Sequence, residues 1–193
     1  MGDTYEVEVK ISIDSFDEIE HRILNVGAKK INQEVQIDSY FEHPCRTFSE
    51  TDEALRVRLR RPFDNAELES PTDLVELTYK GPKIDSTTKT RIESSVKLND
   101  AEEITSLLEN LGFKLVATIT KKRQFFSIPA ITISIDDVED VGLFLELESI
   151  SNYDEISNAR ENIFAMVKKL GLEPTQSIRE SYLELFLSRR SSS

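Results

Sequence analysis

The chain has little from which to build a thiol or imidazole site. It holds one cysteine, Cys45, so no disulfide can form within it. Two histidines, His21 and His43, together with that cysteine cannot make a His/Cys zinc cage. Any metal would have to be held by carboxylates, which points to magnesium, manganese or calcium. Positive charge is also in deficit, for the net charge is -12. Non-specific binding to DNA, RNA or an anionic membrane depends on clustered cations, so neither nucleic acid nor membrane is an expected partner. A small anion in a locally basic pocket stays open. No run of about 18 apolar residues occurs and no apolar segment follows Met1, so the cytoplasm is the expected location. No GxxxxGK(S/T) loop is present, so side chains rather than backbone would hold any phosphate.

The 193 residues are 38% hydrophobic and 31% charged, the balance of an ordinary globular protein rather than a disordered one. One domain over residues 1–188 is expected, followed by a flexible tail at 189–193. Three helices stand out. The first runs from about Phe16 to Val26, with Ser15 and Glu18 at capping-box spacing and Gly27 after it. The second runs from about Ala101 to Leu111 and ends at Gly112. The third runs from about Asp154 to Leu170 and ends at Gly171. Each carries an apolar stripe. A short last helix is expected over Glu180–Leu187.

Between the helices the hydrophobic period becomes two, the mark of strands. The candidates are Tyr5–Ile13, Glu34–Phe41, Ala54–Arg61, Leu74–Lys80, Lys89–Leu98, Lys114–Ile128, Ile131–Asp136 and Leu143–Ile150. Pro62–Asp73 reads as an acidic hairpin loop and Gly81–Thr88 as a second loop. A weak internal repeat accompanies these elements. Glu8 precedes Gly27 by the same interval as Glu93 precedes Gly112, and Gly27 precedes Tyr40 as Gly112 precedes Phe125.

Side chains at i and i+2 of a strand share a face. Glu6, Glu8 and Lys10 therefore oppose Val7, Val9 and Ile11. Arg56, Arg58 and Arg60 oppose Val57 and Leu59. Thr78 and Lys80, Arg91 and Glu93, Lys121 and Arg123, and Glu146 and Glu148 make further polar faces. For any one strand a solvated face is the plain reading. Repetition argues otherwise, because the apolar strand faces give the helix stripes somewhere to pack. The charged faces then point inward, into a closed barrel that has no free edges. Such an interior must hold water, metal or an anion, since unpaired buried charge is too costly. Carboxylates at Glu6/Glu8 and Glu146/Glu148 suit divalent cations, and the Arg and Lys residues suit phosphate oxygens.

The lead EVEVK at Glu6–Lys10 resembles the ExExK signature of the CYTH superfamily, the triphosphate tunnel metalloenzymes. Further segments follow in the family's order: LRVRLR at Leu55–Arg60, TYKGPK at Thr78–Lys83, TKTRIE at Thr88–Glu93, TKKRQFF at Thr120–Phe126, Ile135–Asp136, ELE at Glu146–Glu148 and SYLEL at Ser181–Leu185. The resemblance spans nearly the whole chain and is closest to the class IV adenylyl cyclase branch, especially its short archaeal-type members. It implies an α+β fold, an eight-stranded antiparallel β-barrel (tunnel) with helices packed outside. It implies that Glu8 and Glu148 bind Mg2+ or Mn2+, with Glu6, Glu146 and Asp136 helping. It implies that Arg56, Arg58, Lys80, Arg91, Lys121 and Arg123 bind a triphosphate, while Lys10 and Glu93 complete the charge network. Family members often dimerise, which the sequence neither supports nor opposes. One departure is visible. Well-characterised bacterial cyclases of this class carry a His-Phe lead before the acidic motif, and Met1–Tyr5 has none.

Three functions are consistent with these residues: an adenylyl cyclase converting ATP to cyclic AMP and pyrophosphate, a hydrolase of inorganic, thiamine or nucleoside triphosphate, and a non-catalytic nucleotide or polyphosphate binding module. The full acidic set favours the enzymes, since binding alone needs only the basic wall. His43, Cys45 and Lys83 read as loop residues, Arg60 as a residue of the tunnel mouth, and Tyr40, Phe41, Phe125 and Phe126 as packing aromatics.

Overall fold

The alternation of charged and apolar strand positions resolves into a closed barrel, seen in a computed structural model that describes residues 5–63, 74–83 and 91–191. In chain order the strands are β1 (Tyr5–Ser12), β2 (Lys29–Glu42), β3 (Ala54–Pro62), β4 (Leu74–Lys80), β5 (Arg91–Leu98), β6 (Lys114–Ile128), β7 (Ile131–Val138) and β8 (Gly142–Ser151). The helices are α1 (Phe16–Asn25), α2 (Phe48–Thr51), α3 (Ala101–Asn110), α4 (Ile156–Lys169) and α5 (Tyr182–Ser191). Around the barrel the strands run β1-β5-β4-β3-β2-β6-β7-β8, and every neighbouring pair is antiparallel. A short seam joins β1 to β5, where Tyr5 faces Ile92 and Glu6 faces Arg91.

The apolar strand faces point outward, as expected, and the helices cover them. Val7, Val9 and Ile11 of β1, with Leu145 and Leu147 of β8, pack against Ile19 and Ile23 of α1 and Ile163 and Val167 of α4. Leu108 of α3 covers Val57 and Val75. Burying such side chains contributes about 1.5–3 kcal/mol each, so the outer layer rather than the charged interior stabilises the barrel. Local chemistry sets the helix ends. Ser15 Oγ accepts the Glu18 N–H at 3.3 Å, and Asp100 Oδ1 accepts the Glu102 and Glu103 N–H groups at 2.8 and 3.0 Å. Gly27 and Gly112 follow α1 and α3 at φ +87° and +90°, a region that favours glycine.

The repeat is real at the level of topology. Exchanging the first four strands with the last four reproduces the barrel order. The β2–β6 register pairs Gln36 with Lys121, which the repeat makes equivalent, so a pseudo-two-fold axis passes between them.

Some boundaries differ from expectation. The strand expected over Glu34–Phe41 begins at Lys29, where pairing with Ser127 of β6 extends it through a segment without clean alternation. The last helix starts at Tyr182 rather than Glu180. Ser181 caps it, accepting the Glu184 N–H at 3.1 Å while the Glu184 carboxylate accepts the Ser181 N–H at 2.5 Å. It runs on to Ser191, through residues expected in the tail, and Arg189 Nη1 ties it to the Asp140 carbonyl at 3.1 Å. The short helix α2 and the 3-10 turns Tyr153–Glu155 and Pro174–Gln176 were not anticipated as separate elements. Residues 64–73 of the hairpin loop, 84–90 of the second loop and 192–193 of the tail lie outside the described residues.

Candidate active site

Barrel order sorts the charges by sign. The strands β5, β1 and β8 are neighbours and carry Glu93, Glu6, Glu8, Glu146 and Glu148. Across the barrel β3, β2 and β6 are neighbours, and they carry Arg56, Arg58, Lys121 and Arg123. Between them lies a cavity of about 570 Å³, within the usual range for a small-molecule site. Of the thirteen residues expected at the site, eleven line this cavity. The exceptions are Lys10 and Asp136, which are fully buried behind its wall.

On the acidic side Glu8 faces Glu148 across the β1–β8 ladder, and Lys10 faces Glu146. Glu6 is hydrogen-bonded to both Glu93 and Glu148. Three carboxyls this close cannot all ionise in a buried site. Burial first, then the Glu6 charge, pushes the Glu148 carboxyl up to about 8. Burial likewise raises Glu93 to about 7, opposed by Lys80 and reinforced by Glu6. Burial also works against ionisation of Glu6. The Lys80 ammonium and the two carboxyl donors outweigh it and hold Glu6 below the usual carboxylate range. The cluster therefore keeps one carboxylate and shares protons on its neighbours. Lys80 and Arg91, expected on the basic wall, stand on this side. Lys80 pairs with Glu93 and lies 3.6 Å from Glu6, and Arg91 Nη1 donates to the Gly81 carbonyl at 3.3 Å.

Two buried Asp–Arg pairs brace the basic side. Arg58 donates to both oxygens of Asp38 at 2.6 and 2.7 Å, and Arg56 lies 3.9 Å from the same carboxylate. Arg123 Nε donates to Asp136 Oδ1 at 2.6 Å, and its Nη2 bonds Asp136 and Glu146. Lys121 reaches Asp136 at 3.2 Å and the Tyr182 hydroxyl donates to it at 2.8 Å. Burial and the Arg123 charge lower Lys121 to about 8, while Asp136 opposes the shift. The pairing leaves some donors waiting. Arg56 Nε and Arg60 Nε are buried with no acceptor among the described residues. Lys10 points away from this wall, donating to the Glu180 carbonyl, with its ammonium 4.2 Å from the Tyr182 ring centroid.

Several of these residues were not singled out from sequence. Glu34, Gln36 and Asp38 share the inner face of β2 with Tyr40, which reads from sequence as a packing aromatic, and their alternation with Val35, Ile37, Ser39 and Phe41 was the signal that could have found them. Tyr182 lay in a quoted motif, but its role needed the tail to fold back onto the barrel. There α5 packs on Ile119, Val138 and Phe144, and its residues Tyr182, Leu183, Glu184 and Leu187 join the cavity wall.

A closed eight-stranded barrel with one acidic and one basic inner wall matches a known family, and the chain belongs to it: the CYTH domain matches over residues 4–182. The chain is 41% identical over 181 residues to a protein of Methanocaldococcus jannaschii named as a candidate adenylate cyclase, covering 93% of this chain and 97% of that one. It is 26% identical over 189 residues to the adenylate cyclase CyaB of Aeromonas hydrophila, covering 94% and 88%. A solved structure of a Pyrococcus horikoshii protein superposes with a TM-score of 0.85 at 39% identity, covering 96% of this chain and 99% of that one. Among the described residues no helix is long and apolar enough to cross a membrane.

Proposed function

We propose that the chain is a metal-dependent triphosphate-processing enzyme, and specifically an adenylyl cyclase that converts ATP to cyclic AMP and pyrophosphate. The observation that carries the triphosphate reading is the gathering of Arg56, Arg58, Arg60, Lys121 and Arg123 on the wall of one cavity. An oligophosphate supplies several anionic oxygens, and Arg binds them with directed hydrogen bonds.

The acidic wall fits a divalent cation. Carboxyls that must share protons to coexist are neutralised equally well by a metal ion, which takes the place of those protons. Among the described residues no three carboxylates form a finished cage. Mg2+ or Mn2+ keeps water and phosphate oxygens as ligands and needs only one or two carboxylates. Glu8 and Glu148 would hold the ion, with Glu6 and Glu146 beside them. Bound there, it would supply charge neutralisation at the phosphates and the leaving group. Asp136 is better assigned as an anchor for Arg123, Lys121 and Tyr182 than as a ligand, because those donors already occupy its carboxylate. Lys10 likewise supports the wall from behind.

The chain's own residues have distinct tasks in this scheme. Arg56, Arg58 and Arg123 orient the triphosphate and exclude free rotation of its end. Lys80 and Arg91 sit where the phosphate chain would approach the carboxylates. Glu93, titrating near neutrality, is the carboxyl suited to exchange a proton at its Oε atoms. Cyclisation follows the names of the two relatives described above. The missing His-Phe lead before Glu6 favours a second reading, hydrolysis of inorganic, thiamine or nucleoside triphosphate by the same walls.

One assay separates them. Incubation with Mn2+ or Mg2+ and either ATP or inorganic triphosphate should release cyclic AMP with pyrophosphate from ATP. Orthophosphate alone would replace the cyclase reading with the hydrolase one, and binding without turnover would remove both. Glu8→Ala and Glu148→Ala should each abolish metal-dependent turnover. Full activity in both would overturn the metal assignment.

A further inference from the structure

One oxygen of the Asp136 carboxylate carries more donors than it can hold well. The carboxylate is fully buried behind the cavity wall. Oδ1 accepts from Arg123 Nε at 2.6 Å. Oδ2 accepts from Arg123 Nη2, from the Tyr182 hydroxyl at 2.8 Å and from Lys121 Nζ at 3.2 Å. A carboxylate oxygen has about two lone-pair sites, so three donors on Oδ2 compete. The contact with Lys121 is the one that gives way. A charge-assisted bond from nitrogen to a carboxylate usually runs about 2.7–2.9 Å, and this one is longer.

Lys121 is therefore loosely held. It lines the cavity, whereas Asp136 does not. Its ammonium has three N–H donors and, among the described residues, one hydrogen-bonding partner. Its other contact is with Tyr182 itself, whose ring centroid lies 4.7 Å from Nζ. A ring face attracts a cation without neutralising it. Without the hydroxyl, Oδ2 would have room for Lys121. The ammonium would then close on the carboxylate, because opposite charges attract strongly in a buried site.

We propose that Tyr182 is a positioning residue for Lys121: its hydroxyl occupies Asp136 Oδ2, keeps the ammonium from closing on that carboxylate, and so leaves it available to a phosphate in the cavity. This rests on the triphosphate reading above and adds a residue that acts through another. It also couples the C-terminal helix to the strength of the basic wall, since Tyr182 is the first residue of α5. A hydroxyl that only anchors α5 to the barrel would affect stability and leave phosphate affinity alone.

The test is a double-mutant cycle on ligand affinity. Titration calorimetry with inorganic triphosphate in EDTA, where no metal-dependent turnover takes place, would compare the wild type, Tyr182→Phe, Lys121→Met and the double variant. Tyr182→Phe keeps the ring and removes only the hydroxyl. It should bind about tenfold more weakly than the wild type, the effect of one hydrogen bond. In the Lys121→Met background the same substitution should change nothing, because no ammonium is left for Asp136 to recapture. Unchanged affinity in Tyr182→Phe would overturn the proposal and leave the hydroxyl as an anchor for α5. Equal losses in both backgrounds would also overturn it, since the hydroxyl would then act by a route other than Lys121. If Lys121→Met fails to fold, a crystal structure of Tyr182→Phe takes its place: Lys121 Nζ should lie closer to Asp136 Oδ2 than 3.2 Å, and an unmoved ammonium would sink the idea. Failure of inorganic triphosphate to bind the wild type, both in EDTA and with Mn2+, would instead bring down the underlying triphosphate reading.

Discussion

Replacing Asp38 by alanine should destabilise the protein far more than removing an exposed ion pair. The Asp38 carboxylate is 1% exposed, accepts two hydrogen bonds from Arg58 and lies beside Arg56, and both guanidiniums are themselves buried. Truncating Asp38 leaves those cations facing each other without compensation. Removing one partner of a buried pair costs about 3–5 kcal/mol. At about 2–4 °C per kcal/mol for a domain of this size, Tm should fall by roughly 6–20 °C. Glu18→Ala is the control. It breaks a helix-surface pair with Arg22 and should cost well under about 1 kcal/mol. The pH dependence gives a second readout. Burial raises the Asp38 carboxyl, but Arg58 and then Arg56 more than offset it, so it is held well below the usual range. A depressed folded value means that its stabilisation is full above the unfolded value, about 3.9, and is lost as pH falls through the folded one. Thermal melts by circular dichroism should therefore show the full gap between wild type and Asp38→Ala at pH 7, narrowing below about pH 4. A variant melting with the wild type at pH 7 would show that Arg58 finds another partner, and would refute the bracing role.

Glu148 should behave in the opposite sense. Its raised value of about 8 means that the folded protein loses stability as pH rises from the unfolded carboxyl range toward 8. Glu148→Gln should then melt above the wild type at pH 9 in EDTA and near it at pH 4; the same gap at both values would contradict the shared-proton cluster. Tyr182→Phe removes only the hydroxyl that donates to Asp136, costing about 1 kcal/mol. Tm should fall by about 2–4 °C, and no change would mean that the bond does not hold in solution.

The barrel was legible because strands with one charged and one apolar face leave few alternatives. EVEVK and LRVRLR cannot hide both faces, and α1, α3 and α4 need apolar partners. The glycines after those helices were legible too, since they sit where a positive φ stops each one. Less of β2 could be read. Its inner residues, Glu34, Gln36, Asp38 and Tyr40, mix an acid, an amide and a phenol, which looks like an ordinary solvated face until β3 and β6 flank it with arginines. The helix α5 takes in Arg189 and Arg190 of the expected tail, and it is held by a capping box and by a contact with Asp140 far away in sequence.

Period, sign and spacing of charge follow from the order of residues alone, and so do the barrel, the inward direction of Glu6, Glu8, Arg56 and Arg58, and the presence of both acidic and basic inner faces. Which charges meet is set by strand order and register. Those put Glu8 against Glu148, Asp38 against Arg58, and Asp136 against Arg123, and they carry Lys10 and Asp136 behind the cavity wall. The physical reason is that pairing energy and proton affinity depend on separations of a few ångströms between groups remote along the chain. An alternation along one strand specifies a face, and only closure of the barrel decides what that face meets.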